Sequence, residues 1–448
     1  MTAFRQPEFL TDNDRPVHRI RCPIHGFIHF SENELKLIDH YLVGRLRYVR
    51  QLALTELVYP GATHTRFAHS LGVMEIATRS FDAIAVKHGD KMERVFKSVN
   101  DFDRPMAKAR QVLRVAALLH DVGHASFSHA AEKVVNSGIG HEELTCLIMR
   151  NASFLRPVLE KHYGSGFADW AAAVVKGDES LPPQMQILHD LISGEMDADR
   201  TDYLIRDSHH CGVEYGRFDY RRMTECLELI EDDLGGLQIA LNRDGIHTLE
   251  ALILARYQMN TQVYHHRLRR IYDHYLVEYH KALGTEVPDS PEKVTKHNDV
   301  TMMSMIMADA HNGLGARREW AERIVSRKHH RQVHETGVDA NAKDILQSKQ
   351  LFEKLRQKFD RTHFVFDIAK VGIHRFLTRD DQDEAEFVDL KLVNRRGRKD
   401  GAGFVSQVLG KIPKDFQCAR IYADVDRNDG IREEITEFAD KAWREERE

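Results

Sequence analysis

The chain has 448 residues, and its 64 Lys and Arg are nearly balanced by 69 Asp and Glu, which excludes a strongly basic protein that binds nucleic acid or anionic membranes through net charge alone. It contains no run of 18 apolar residues, and "MTAFRQPEFLTDNDRPVHRI" lacks the apolar segment of a signal peptide. The five cysteines are scattered without a Cys-x-x-Cys pair, a pattern typical of reduced thiols. We therefore expect a cytoplasmic protein that does not contact a membrane and that folds as two or three units.

Most of residues 30–285 is predicted to be helical. The stretch "KARQVLRVAALLH" places Val112, Val115, Ala116 and Leu119 at the spacing of one helix face. A longer run, "LEALILARYQMNTQVYHHRLRRIYDHYLVEYHKAL", contains no Pro or Gly and predicts one long helix. Turn residues interrupt the helical pattern at "YPGATHT", "NSGIGHEE", "DDLGG" and "GTEVPDSP".

The sequence pattern changes toward the C-terminus. A shorter helical stretch after Pro291 includes "SRKHHRQVHE", and "HFVFDIAKVGIH", "EFVDLKLV" and "QCARIYADV" then predict strands. The closing "REEITEFADKAWREERE" predicts an amphipathic helix, and "NRRGRKDG" (394–401) predicts a solvated loop, with a phosphate-binding or contact loop as the alternative. The predicted fold class is mainly α, with a small α+β unit at the C-terminus. Its predicted divisions are a leader over 1–17, a helical core over 18–290, a helical extension over 291–361 and the α+β unit over 362–448.

A histidine-aspartate pair, His120 and Asp121, directly follows the apolar helix. Adjacent helical residues project about 100° apart, so both side chains can reach one ion that lies over the helix end. Two ligands alone do not make a metal site, and a histidine-rich helix end is the simpler interpretation of the pair. Further ligands are available in "THTRFAHSLGV" and "GEMDADRTDYLIRD", which supply His64, His69, Asp197, Asp199, Asp202 and Asp207. A histidine, a later His-Asp pair and a still later aspartate on a helix together favour a metal site.

Two further sets of residues recur at helical spacing. Asp199, Tyr203 and Asp207 stand at i, i+4 and i+8, so they line one face of a predicted helix. Arg256, Asn260 and Tyr264 repeat this spacing on the long predicted helix. Each stripe is compatible with an ordinary solvated face or with the wall of a cleft.

The motifs "RFAHSLGV", "LLHDVGHASFSH" and "DADRTDYLIRD", in this order, resemble the HD-domain superfamily of metal-dependent phosphohydrolases. More narrowly, the chain is similar to the dNTP triphosphohydrolases, which include the sterile-alpha-motif and HD-domain dNTPase and bacterial dGTPase-like proteins. The likeness covers roughly residues 18–275 and implies a helical HD core. It implies that a divalent metal, which the sequence does not distinguish among Mn, Mg, Fe and Zn, is bound by His69, His120, Asp121 and Asp199.

The resemblance also implies roles for residues around the metal. His124 and His141, with Glu132 as an acidic partner, are expected at the α-phosphate and the leaving oxygen. The simpler interpretation is that two of the three histidines His124, His129 and His141 are hydrogen-bonded helix-end residues. Arginine side chains bind phosphate oxygens bidentately, which suits the three arginines that match family positions. The implied substrate contacts are Arg66, Arg200, Arg256 and His129 at phosphate, Gln51 and Asp207 at the sugar 3′-hydroxyl, Leu52 at the 2′ position, and Tyr203 and Tyr264 as stacking residues.

Asp39 and Arg47 match the family's pair that binds a guanine activator. They stand at i and i+8, so an ion pair between helices is an equal alternative. If a dNTP or GTP activator binds there, it couples nucleotide binding to assembly, and a homo-oligomer, dimer or tetramer, is expected.

The resemblance predicts hydrolysis of dNTPs to deoxynucleoside and triphosphate by attack of water at the α-phosphorus. The alternative is an HD-type phosphodiesterase or nuclease that acts on single-stranded nucleic acid or on signalling nucleotides, since basic runs such as "RLRR" are present. A third alternative is a nucleotide sensor without turnover, which the complete set of metal ligands disfavours.

Overall fold

A computed structural model describes residues 9–10, 14–99, 102–127, 139–178, 180–231, 236–284, 290–376, 390–394, 396–426 and 430–445. In the N-terminal half the strands and helices are β1 (His18–Cys22), β2 (Gly26–Phe30), α1 (Glu32–Ile38), α2 (Tyr41–Gly44), α3 (Arg66–Phe96), α4 (Pro105–Leu119), α5 (His141–Arg150), α6 (Arg156–Tyr163), α7 (Phe167–Lys176), α8 (Gln186–Ser193), α9 (Ala198–Cys211) and α10 (Tyr220–Cys226). Short 3₁₀ turns cover Arg45–Tyr48, Thr55–Leu57 and Pro183–Met185.

The C-terminal half contains β3 (Leu227–Glu231), β4 (Leu237–Asn242), α11 (Ile246–Met259), α12 (Arg267–Leu283), α13 (Pro291–Val294), α14 (Asp299–Asn312), α15 (Gly315–Val325), β5 (Arg331–Glu335), α16 (Ala342–Lys358), β6 (Phe364–Gly372), β7 (Lys391–Val393), β8 (Lys399–Gly401), α17 (Ala402–Val405), β9 (Asp415–Ala423) and α18 (Gly430–Glu445). Two more 3₁₀ turns cover Arg243–Gly245 and Leu409–Lys411. Within the described ranges, every helix is either too short or too polar to cross a lipid bilayer. The predicted fold class, mainly α with a small α+β unit at the C-terminus, is confirmed.

Helix α4 lies at the centre of the helical core. Its Val112, Val115, Ala116 and Leu119 are fully buried, as their spacing predicts, and α3 packs along it. Burying a Val or Leu side chain contributes roughly 1.5–3 kcal/mol, so this apolar helix is a main source of core stability. Pro105 begins α4 where its missing amide donor costs nothing. Because α4 is fixed by this packing, the residues after Leu119 leave the core at a defined point.

The break after α11 differs from the prediction of one long helix. Helix α11 ends at Met259, a π-helical turn covers Asn260–Tyr264, and His266 is extended at φ −57° and ψ 135° before α12 begins. Two side chains of β9 donate to backbone carbonyls at the break. Arg420 Nη1 donates to His265 O at 2.8 Å, and Tyr422 Oη donates to Arg267 O at 3.0 Å. Side chains of β9 therefore hold the chain at both ends of the break.

The C-terminal strands divide between two sheets. Strand β9 lies between β5 and β6 and is antiparallel to both. Strand β7 instead pairs in parallel with β4 and antiparallel with β8. Strand β5 falls inside "SRKHHRQVHE", which was predicted to be helical, because pairing with β9 satisfies its backbone along an otherwise open edge. The other predicted strands and the closing helix, α18, are present.

Candidate metal centre and active site

The ends of three helices bring the four expected metal ligands together. His69 lies in the first turns of α3, His120 and Asp121 follow α4, and Asp199 lies in the first turn of α9. His69 Nε2 is 2.9 Å from Asp199 Oδ1 and 3.8 Å from Asp121 Oδ2. His120 Nε2 is 3.4 Å from Asp121 Oδ1 and 3.6 Å from Asp199 Oδ1. The donor atoms of His69, His120 and Asp121 lie within 4.8 Å of one another, and Asp199 Oδ1 adjoins both histidines.

These residues fit a divalent cation. His120 Nδ1 donates to the Ala117 carbonyl at 2.7 Å, so Nε2 faces the carboxylates. This Nε2 is buried and has no hydrogen-bond partner within the part of the chain that the structure describes. Ligand atoms about 2.1 Å from a shared ion lie about 3.0–3.4 Å apart, close to the spacings observed. Burial lowers the pKa of His69, but hydrogen bonds to Asp199 and Asp202 outweigh it and raise the pKa to about 10, so a cation and a proton compete for this site. Two imidazoles and two carboxylates accept several divalent metals, and the set does not select one.

On one side of this centre lie a histidine pair and an arginine. Arg66 Nη1 donates to Asp121 Oδ2 at 2.6 Å, and His124 Nε2 is 3.3 Å from Asp121 Oδ1. The His124 ring stacks on that of His141 with 3.9 Å between centroids. Burial, followed by the charge of Arg66, lowers the pKa of His124 to about 3, so its ring is neutral near pH 7. The expected partners His129 and Glu132 lie outside the described residues.

A second group of polar side chains lies along α9 and centres on Asp207. Its Oδ1 accepts from His64 Nε2 at 2.7 Å, and its Oδ2 accepts from Tyr264 Oη at 2.7 Å. Gln51 Oε1 is buried with no hydrogen-bond partner among the described residues, and the neighbouring Leu52 is buried. His64, a metal-ligand candidate by sequence, thus belongs to this group, and its partner Asp207 gives it a role that residue spacing did not predict.

Arginines lie beyond Asp199. Arg200 Nη1 is 3.0 Å from Asp197 Oδ2, the carboxylate that caps α9, and also donates to the Gly194 carbonyl. Arg256 Nη2 donates to the Gly372 carbonyl at 2.8 Å, and its Nε is buried with no partner among the described residues.

The rings of Tyr203 and Tyr264 meet edge to face with 6.0 Å between centroids. The two predicted stripes therefore meet at these tyrosines, although the π-helical turn separates Tyr264 from α11.

Asp39 and Arg47 are not paired with each other in the described part of the chain. The Arg47 guanidinium lies over the Phe67 ring, 3.5 Å from its centroid, and Asp39 caps the C-terminus of α1. The alternative of an ion pair between these two residues is therefore wrong.

The loop after Asp121 is held by residues that the sequence analysis did not identify. Arg45 Nη2 donates to the carbonyls of Val122 and His124, each at 2.8 Å. Asp299 Oδ1 accepts from Phe127 N at 2.7 Å. Because Arg45 and Asp299 are distant in sequence from the loop, no motif or periodicity marked them.

Comparisons with known proteins agree with this arrangement. The HD domain model matches residues 66–207, and the HD associated region model matches residues 218–361. An uncharacterized Bacillus subtilis protein, YwfO, is 37% identical over 249 residues, which make up 55% of this chain and 52% of that protein. The human deoxynucleoside triphosphate triphosphohydrolase SAMHD1 is 28% identical over 280 residues, or 57% of this chain and 42% of that protein. The chain thus spans about half the length of the curated relatives it matches.

A solved structure extends the likeness to nearly the whole chain. The crystal structure of a hypothetical protein from Aquifex aeolicus matches 94% of this chain and 99% of that chain, with a TM-score of 0.73 and 29% identity. The HD domain match contains His69, His120 and Asp121, whose donor atoms lie within 4.8 Å of one another, and also Asp199. The chain therefore belongs to the HD-domain family.

Proposed function

We propose that the protein hydrolyses deoxynucleoside triphosphates to deoxynucleoside and inorganic triphosphate. Water adds to the α-phosphorus, the bond from that phosphorus to the 5′ oxygen breaks, and the 5′ oxygen leaves with a proton. The observation that carries the proposal is the placement of His69 and His120 between the carboxylates of Asp121 and Asp199, at 2.9–3.8 Å. The similarity to the human triphosphohydrolase supports the same substrate class.

A divalent cation held by these four side chains supplies Lewis-acid chemistry, since it lowers the pKa of water and neutralises phosphate charge. Arg66 is held beside this centre by Asp121 and directs positive charge to the α-phosphate. The neutral ring of His124, held parallel to His141, orients the reacting phosphate through hydrogen bonds, and His141 with Glu132 is assigned the proton for the leaving oxygen. Arg200 and Arg256 bind the outer phosphates, to which Arg256 offers a buried Nε that has no partner among the residues described.

The group around Asp207 is suited to recognise the sugar. The carboxylate is fixed by His64 and Tyr264, and the buried Gln51 Oε1 has no partner in the described ranges. A sugar 3′-hydroxyl that donates to this oxygen therefore gains a hydrogen bond. Leu52 leaves an apolar surface where a ribose would place its 2′-hydroxyl, which disfavours NTPs.

The test is a product assay with four dNTPs and four NTPs in Mn, Mg, Fe and Zn. Release of triphosphate from dNTPs, with little from NTPs, is expected. Release of pyrophosphate or orthophosphate alone would refute the proposal. Cleavage of single-stranded nucleic acid or signalling nucleotides instead would favour the phosphodiesterase alternative.

An activator site and a homo-oligomer are part of the same proposal. Arg47 and Arg50 line a cavity of about 480 Å³ beside Phe127 and Asp299, a volume in the range of small-ligand sites. Asp39 is not among the residues that line this cavity in the described chain, so Arg47 is the better test position. Light scattering with and without dNTP or GTP should show nucleotide-dependent assembly that Arg47→Ala weakens, and a mass independent of nucleotide would contradict it.

A further inference from the structure

The ring of His69 is held from both sides. Its Nε2 faces Asp199 and the point where the metal ligands meet, whereas its Nδ1 lies 2.8 Å from Asp202 Oδ2. An imidazole that binds a metal through one nitrogen donates its other N–H to a partner that fixes the tautomer and the ring orientation. Asp202 is in the position of that partner.

Asp202 is itself fixed by a hydrogen-bond network without solvent. Arg206 Nε donates to Asp202 Oδ2 at 2.8 Å, and Arg206 Nη2 donates to Oδ1 at 2.9 Å. His25 Nε2 donates to Asp202 Oδ1 at 2.6 Å. The relative exposure of Asp202 and Arg206 is 0%, and that of His25 is 3%, so the carboxylate has no water to exchange for these donors. Each carboxylate oxygen accepts from two donors, so losing one donor would leave a buried charge with fewer hydrogen bonds.

His25 extends the network to the β1–β2 hairpin. It lies in the turn between the two strands, and its Nδ1 accepts from Tyr220 Oη at 3.3 Å. Cys22, at the end of β1, lies on the same network, with its Sγ 3.5 Å from Arg206 Nη2. The hairpin thus contacts the back of the metal centre through two side chains.

Gly72 provides the space that this network needs. It lies one turn after His69 on the same face of α3. A Cβ at this position would lie 1.9 Å from Asp202 Oδ1 and 2.5 Å from Arg206 Nη2. Any larger residue at position 72 would push Asp202 away from His69, which explains why a helix interior tolerates glycine at this point.

We infer that His25 and Asp202 are positioning residues for the metal ligand His69, and that the β1–β2 hairpin is part of the metal centre. The inference rests on the metal site of the proposed function. The simpler role for the same residues is structural, in which the Asp202–Arg206 pair joins α9 to α3 without affecting the metal. Metal affinity and ligand-field spectra separate the two roles, because a structural contact does not change how His69 meets an ion.

The experiment uses the full chain, His25→Gln and the matched variant His29→Gln, whose side chain is exposed on the same hairpin. Metal affinity is measured without nucleotide by competition with a chromophoric chelator, and Co²⁺-loaded protein is examined by absorption spectroscopy. His25→Gln should bind metal 10–100-fold more weakly, with a changed Co²⁺ spectrum, and His29→Gln should match the parent. A folded His25→Gln variant with parental affinity and spectrum would overturn the inference.

Tyr220→Phe removes only the hydroxyl that meets His25 Nδ1, and it serves if His25→Gln does not fold. It should weaken metal binding about two- to fivefold, and unchanged affinity would overturn the inference. A parent that binds no metal would overturn it too. A parent that binds metal but releases no triphosphate would instead refute the proposed function and leave this result standing.

Discussion

Gly123, in the loop between the two histidines of "HDVGH", is predicted to be indispensable. A Cβ at this position would lie 2.2 Å from His141 O, 2.5 Å from Thr145 N and 2.7 Å from Thr145 Oγ1. Two of these atoms belong to the backbone of α5, so relief requires the helix to move by about 1 Å, because relaxed contacts of this kind lie near 3.4 Å.

The cost of Gly123→Ala follows from these contacts. Thr145 Oγ1 accepts from Gly123 N and donates to His120 O, each at 2.9 Å, and both bonds break if α5 shifts. Overpacking costs roughly 1–3 kcal/mol and each lost hydrogen bond about 1 kcal/mol, so the free energy of unfolding should fall by about 3–5 kcal/mol. Since His120 and Asp121 are close neighbours, metal content should fall with it.

Urea unfolding followed by circular dichroism measures the change, together with metal analysis. Gly89→Ala is the control, because a Cβ at that position in α3 would meet nothing within 4 Å. It should leave stability unchanged or raise it by up to about 1 kcal/mol. The reasoning is refuted if Gly123→Ala costs less than 1 kcal/mol, or if the two variants behave alike.

Three other predictions address pH, substrate contact and a buried ion pair. Burial lowers the pKa of His280 to about 4, so the unfolded chain binds this proton more readily and stability falls as pH drops from about 6.5 towards 4. Urea titrations at pH 7 and pH 4 measure the loss in the free energy of unfolding between the two pH values, and His280→Leu should make this loss about 2–3 kcal/mol smaller. An equal loss in the parent and the variant would contradict this. Tyr264→Phe deletes the donor to Asp207 and should raise KM for dNTP about fivefold with little change in kcat, whereas unchanged KM would argue against the sugar site. Arg114 donates to Glu34 at 2.5 and 2.9 Å, so Arg114→Met leaves a buried carboxylate without its cation and should lower the free energy of unfolding by about 3–5 kcal/mol. Adding Glu34→Gln should recover more than half of this loss, whereas additive losses would disprove the coupling.

Local spacing predicted the parts of the site that share one helix. Asp199, Tyr203 and Asp207 lie on α9, and the apolar stripe of α4 is buried up to Leu119. Such patterns survive folding because a regular helix fixes the direction of each side chain relative to its neighbours. His120 and Asp121 were also found by sequence, since they directly follow that stripe.

Contacts between distant segments could not be predicted in this way. His25 meets Asp202 across 177 positions, and Asp299 meets Phe127 across 172. Neither pair leaves a periodic signal in a single sequence. The break after α11 was missed for the same reason, because the Arg420 side chain that bonds the His265 carbonyl next to the π-helical turn lies on β9. Likewise, the pairing of β5 with β9 outweighs the helical appearance of the residues around Arg331.

The hydrogen bond from Arg256 to the Gly372 carbonyl joins two residues that are synthesised at different times. The metal ligands have all been synthesised once the ribosome has passed Asp199, and Arg256 follows soon afterwards. The carbonyl that orients this arginine appears only when β6 is complete, more than a hundred residues later. The proposed metal ligands are therefore all synthesised well before the carbonyl that orients Arg256, the proposed outer phosphate contact.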